Sequence, residues 1–142
     1  MARGVTEGEM DLLRRSFDWA RTGDVSNMAQ LMNLGAPPNL TNERGDTLLI
    51  LAAYHCHPDM VALLLEHAAD VERMNDNGQT ALAAAVFRSA ADIVGMLLQA
   101  GADPDAGPKS AREVAQFFAL SDMQALLPPP SHASDERSPP PP

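Results

Sequence analysis

Cysteine is all but missing, with Cys56 standing alone. A single thiol excludes an intramolecular disulfide framework and fits a reducing compartment, so a cytoplasmic address is expected. Basic residues are scarce as well: ten Lys and Arg face 19 Asp and Glu, for a net charge of −9. Over 42–106 the imbalance is ten acidic side chains to three basic ones. Gripping a phosphate backbone requires a positive stripe that releases counterions, and an anionic membrane surface makes a similar demand, so neither nucleic acid nor membrane is an expected partner. Long apolar runs are lacking too. Charges are scattered through 1–15, which leaves no signal peptide or membrane span to expect there. No Gly-rich phosphate cradle, nucleophile elbow or zinc-protease motif occurs, so neither a cofactor nor catalysis is expected.

What the chain does have is repetition. Gly45-Asp46-Thr47-Leu48-Leu49 returns as Gly78-Gln79-Thr80-Ala81-Leu82 after 33 residues. Downstream, Asp59-Met60-Val61-Ala62-Leu63-Leu64 returns as Asp92-Ile93-Val94-Gly95-Met96-Leu97, and Ala68-Ala69-Asp70 as Gly101-Ala102-Asp103. Self-similarity at such a period is the mark of a solenoid. Leu48, Leu49, Ala52 and Ala53 fall on one helical face, as do Val61, Leu64 and Leu65, so each unit reads as two amphipathic helices. Thr47 and Thr80 are placed to cap the first helix, and Asp59 and Asp92 to meet the positive end of the second. Asn75-Asp76-Asn77-Gly78 is a strong turn sequence, which makes Val71–Gln79 a projecting finger.

The Gly-x-Thr opening, the Val-x-x-Leu-Leu return helix and the closing Gly-Ala-Asp resemble the ankyrin repeat. That resemblance implies an all-α solenoid of stacked helix-turn-helix units with short hairpin-like loops. A degenerate copy precedes the two clear ones, around Trp19–Asp24 and Gly35–Pro37, and a shortened copy follows, opening at Ser110, three residues early. The expected organisation is a flexible N-terminus over 1–9, a repeat domain over 10–127 with units of about 10–41, 42–74, 75–107 and 108–127, and a disordered Pro-rich tail over 128–142. The tail contains seven of the 12 prolines; its Pro139–Pro142 formally matches a Pro-x-x-Pro ligand, although an inert solubilising tail is the expected role. Two family features are missing. The Thr-Pro-Leu-His opening reads Thr47-Leu48-Leu49-Ile50 and Thr80-Ala81-Leu82-Ala83, and the Gly-His of the inter-helix turn reads Cys56-His57 and Ser89-Ala90. Weaker hydrogen bonding between units is therefore expected.

His55, Cys56 and His57, with Asp59 and His67 nearby, are the one cluster with metal-ligand chemistry, but adjacent residues on one helix end point in different directions, so no metal site is expected. The paired carboxylates Asp70/Glu72 and Asp103/Asp105 are too few for calcium and fit turn elements. More informative are the columns made by residues 33 apart: Arg21, Tyr54 and Phe87 in one, Thr22, His55 and Arg88 in the next. In the family resembled, these positions end the first helix on the concave side and grip partners together with the finger tips. The expected partner-binding set is Arg21, Tyr54, His55, Phe87 and Arg88, with Glu43, Arg44, Asp46, Met74, Asp76, Asn77 and Gln79 from the fingers. The resemblance thus implies a monomeric, non-enzymatic module that binds another protein through an acidic concave face and loop tips. The competing readings are a small cytosolic inhibitor or regulatory subunit, a structural spacer, and a metal-dependent enzyme.

Overall fold

The computed structural model describes residues 7–129. Among these, the chain forms eight helices and no strand: α1 (Glu7–Thr22), α2 (Val25–Asn33), α3 (Leu48–Tyr54), α4 (Pro58–Glu66), α5 (Ala81–Phe87), α6 (Ala91–Gln99), α7 (Ala111–Phe117) and α8 (Ser121–Leu126). Three first helices start on a buried hydroxyl. Thr47 Oγ1 accepts from the Ile50 amide at 3.0 Å and Thr80 Oγ1 from the Ala83 amide at 3.1 Å, and Ser110 and Glu113 close a reciprocal capping box. Helix α1 reaches back to Glu7, into the stretch expected to be a flexible N-terminus over 1–9; Glu7 and Glu9 in its first turn complement the helix dipole. The remainder of that segment, 1–6, lies outside the described residues, as does 130–142 of the expected disordered tail.

Every helix pair is joined by the same tight turn. One or two residues after each first helix the chain takes a left-handed conformation, at Gly23, Cys56, Ser89 and Ala119. The next amide then reaches back to the helix, as in His57 N to Ala52 O at 3.0 Å and Ala90 N to Ala85 O at 2.9 Å. Second helices end the same way, with Gly35, Ala68 and Gly101 left-handed. These are Schellman closures, which satisfy carbonyls that the helix end would otherwise leave bare. Only some of these positions are glycine, so Cys56, Ala68, Ser89 and Ala119 hold a strained backbone.

The helices stack in two layers. The inner layer runs α1, α3, α5, α7 and the outer layer α2, α4, α6, α8, each helix packing on its predecessor and successor in the layer. Ala52, Ala53, Ala81, Ala83, Ala84 and Ala85 are buried in the inner layer, where small side chains allow close approach. Between the layers lie Met28, Met60, Val61, Leu64, Ile93, Val94 and Leu97, all without solvent exposure. A single apolar interior runs from Ala20 to Leu127. A lone helix pair would leave half of these side chains in water, so stability resides in the unit interfaces as much as in the units.

Between helix pairs, the chain turns out into fingers. Asn42 Oδ1 accepts the amides of Arg44 and Asp46, and Asn75 Oδ1 accepts those of Asn77 and Gln79, so the two fingers are built alike. A β-carbon on Gly45 would sit 2.9 Å from the Asp76 amide nitrogen of the neighbouring finger, and Gly45 itself has φ +78°. Close stacking therefore requires glycine there. The family's bonding residues are absent, and the units are joined by other donors. Asp76 N donates to Arg44 O at 3.0 Å and Asn75 Nδ2 to Asp46 Oδ1 at 2.9 Å. Asp70 N donates to Asn39 Oδ1 at 2.7 Å, and Asp103 N to Glu72 Oε2 at 3.0 Å. At the opposite edge, the His57 ring donates through Nε2 to the Arg21 carbonyl at 2.7 Å.

Two stability measurements check this packing. Leu64→Ala opens a cavity shared by two unit interfaces and is expected to cost about 3 kcal/mol in urea unfolding. Ala68→Gly relieves a left-handed penalty of roughly 1–2 kcal/mol while adding about 0.4–1 kcal/mol of unfolded-chain entropy, so a net gain near ~0.5 kcal/mol and a higher urea midpoint are expected. A loss of stability in Ala68→Gly would contradict the strain assigned to that turn.

Candidate binding groove

The C-terminal ends of the inner helices and the fingers face each other across an open groove. Its walls are Arg21, Ile50, Leu51, Tyr54, His55, Ala84 and Phe87 on the helix side and Arg44, Asp46, Asn75, Asn77 and Gln79 on the finger side, around a volume of about 450 Å³. Eight of the twelve residues expected to bind a partner are brought together here: Arg21, Arg44, Asp46, Tyr54, His55, Asn77, Gln79 and Phe87. Glu43, Met74, Asp76 and Arg88 do not line it. Glu43 and Asp76 sit exposed on the fingers, and the Met74 thioether lies against Gly107 in the next loop. Arg88 spans two units, donating through Nη1 to the Tyr54 carbonyl at 3.0 Å with its guanidinium 5.2 Å from the Tyr54 ring centroid.

Tyr54 and Phe87 end α3 and α5, so stacking places their rings in parallel, 6.2 Å apart with 8° between planes. They remain 39% and 42% exposed. Each ring thus rests partly on its neighbour and still shows a face to solvent, more than a closed core would leave. The row continues through Phe118, edge-on to Phe87 at 5.4 Å, and Phe117, edge-on to Phe118 at 4.9 Å. Phe117 is 81% exposed. A second concavity of about 450 Å³ adjoins the first, sharing Gln79 and Phe87, and is lined further by Pro108, Lys109, Glu113, Val114, Phe117 and Phe118. Sequence columns spaced by 33 miss both phenylalanines, because α7 opens three residues early; counting from Ser110 instead of Thr80 would have aligned Phe117 with Phe87.

Charges of both signs border this face. Arg21, Arg44, Arg88 and Lys109 border the aromatic row together with Asp18, Asp46 and Glu113; Asp59, Glu66, Asp92 and Asp122 are on outer helices and Asp70, Glu72, Asp103 and Asp105 in the loops that follow outer helices. Carboxylates at the groove are already engaged: Asp18 pairs with Arg21 at 2.7 Å, Asp46 accepts from Asn75, and Glu113 caps Ser110. Arg44, Arg88 and Lys109 enter no ion pair with any described residue. Burial first, then the charges of His57, Arg21 and Arg88, holds His55 below the ordinary histidine pKa.

Metal-binding chemistry finds no assembled donors. Among the described residues no group of three or more His, Cys, Asp and Glu is arranged to hold an ion. The His57 ring is committed to Arg21, and Cys56 is exposed on a left-handed turn. No helix among the described residues is long and apolar enough to cross a membrane.

Comparison with known proteins agrees with this architecture. A family model for ankyrin repeats, in three copies, matches residues 18–107. A Pseudomonas aeruginosa protein named as an ankyrin repeat protein is 47% identical over 53 residues, which is 37% of this chain and 31% of that relative. The chain therefore spans about a third of that relative's length. With the repeat period, the paired helices and the finger turns all accounted for, the chain belongs to the ankyrin repeat family.

Proposed function

We propose that this chain is a non-enzymatic binding module that grips another protein through the groove between its fingers and the C-terminal ends of its inner helices. Ankyrin repeats are in general protein–protein interaction modules. The observation that carries the reading for this chain is the row of stacked, half-exposed rings running from Tyr54 through Phe87. Large aromatics and arginine are the usual anchors of protein interfaces, and here both crowd one concavity. Preformed rigidity is the working principle. Caps, Schellman turns and finger-to-finger bonds hold the anchors in place beforehand, so little ordering entropy is lost on binding. The single cysteine favours a cytoplasmic setting, and the dispersed donors of the His55–His57 turn favour no catalysis.

Tyr54→Ala combined with Phe87→Ala removes both anchors, each expected to be worth about 2 kcal/mol or more in binding. Affinity capture from the native cell with wild type and the double variant is expected to lose its partner in the variant, with an unchanged helical circular dichroism spectrum. Recovery of the same partner by both proteins would contradict the assignment of the groove.

A further inference from the structure

We infer that Arg88 and Phe118 are positioning residues of the groove, each holding the ring that ends the preceding inner helix in its binding orientation. This rests on the functional reading above and deepens it. Arg88 is the first residue after α5, and it reaches back one unit to Tyr54, the last residue of α3. Its Nη1 donates to the Tyr54 carbonyl at 3.0 Å while the guanidinium lies over the ring, 5.2 Å from the centroid. A planar guanidinium can do both at once, bonding an oxygen through its edge and stacking through its face. Phe118 is the first residue after α7, and it reaches back to Phe87, the last residue of α5, with centroids 5.4 Å apart. Once the three-residue shortening before α7 is allowed for, Arg88 and Phe118 occupy the same place in successive units. A cation and a phenyl ring can share that task because each packs well on a π-system.

Phe117 supplies the comparison. It holds the place of Tyr54 and Phe87 in the last described unit, and no later unit among the described residues reaches back to it. It is 81% exposed, against 39% and 42% for the two covered rings. A ring standing free at a helix end can turn among several rotamers, and fixing it on binding costs conformational entropy. A covered ring is fixed beforehand. Tyr54 is held from three sides, by Arg88, by the parallel Phe87 ring at 6.2 Å and by the His55 ring edge-on at 5.2 Å.

Tyr54 is the sole tyrosine, so its ring signals identify themselves in nuclear magnetic resonance spectra of the full chain. The nuclear Overhauser contact between the Tyr54 and Phe87 rings is compared in wild type, Arg88→Ala, Arg88→Phe and Phe118→Ala. All the substituted side chains are exposed, and circular dichroism verifies that each variant folds. Arg88→Ala removes both the cover on the Tyr54 ring and the bond to its carbonyl. Arg88→Phe restores a cover of the kind Phe118 provides, without the bond. The ring contact is expected to be lost in Arg88→Ala and in Phe118→Ala and retained in Arg88→Phe. A contact that persists in Arg88→Ala, or that disappears in Arg88→Phe as well, would overturn the inference; the second result would make Arg88 a link between unit backbones and nothing more. The groove reading fails separately. Recovery of the same partner by Tyr54→Ala/Phe87→Ala would remove that reading even with the ring contacts behaving as expected, and an unmoved Tyr54 in Arg88→Ala would leave it standing.

Discussion

Everything in this structure depends on the inability of one helix pair to hide its own apolar face. Seven-residue inner helices such as Leu48–Tyr54 and Ala81–Phe87 are too short to persist alone in water. They exist because Ala52 and Ala53 of one unit bury against the alanines of the next, while Leu64 and Leu97 fill a shared layer behind them. The period of 33 is thus a packing requirement before it is anything else. Each unit must present the same surface on one side that it accepts on the other. The first and last of the described units differ from the central ones: α1 has 16 residues and α8 six.

The same stacking creates the groove. Because Tyr54 and Phe87 end successive inner helices, a repeat that serves stability also places two rings face to face on the surface. Glycine at Gly45 and Gly78 lets adjoining fingers touch, and the opposite wall follows. Acidic residues on both helix layers and in the loops favour solubility, and Arg44, Arg88 and Lys109 stand beside the rings.

Much of the fold was legible in the sequence because its signals are local. Thr47, Thr80 and Ser110 cap where they should, and Asn75–Gly78 turns as its composition dictates. The groove was legible only in part. Tyr54 and Phe87 share a column at the full period, but Phe117 and Phe118 were hidden by the three-residue shortening before α7. The acidic tally over the repeats gives a sum and no map, since a count over both helices says nothing of which layer bears the charge. Inter-unit hydrogen bonds were missed for a related reason. Asn39 to Asp70, Glu72 to Asp103 and Asp46 to Asn75 join residues far apart in sequence, and no two of these pairs use the same side chains.

The central claim is that the units share one interior and therefore stand or fall together. Trp19, the sole tryptophan, packs on that interior within the first unit, while Leu97 lies two units away. Urea unfolding of Leu97→Ala, followed at once by Trp19 fluorescence and far-ultraviolet circular dichroism, tests the claim most directly. The account predicts coincident transitions by both probes, displaced together to lower urea than in wild type. A Trp19 transition left at its wild-type midpoint while the helical signal splits away from it would contradict the shared interior.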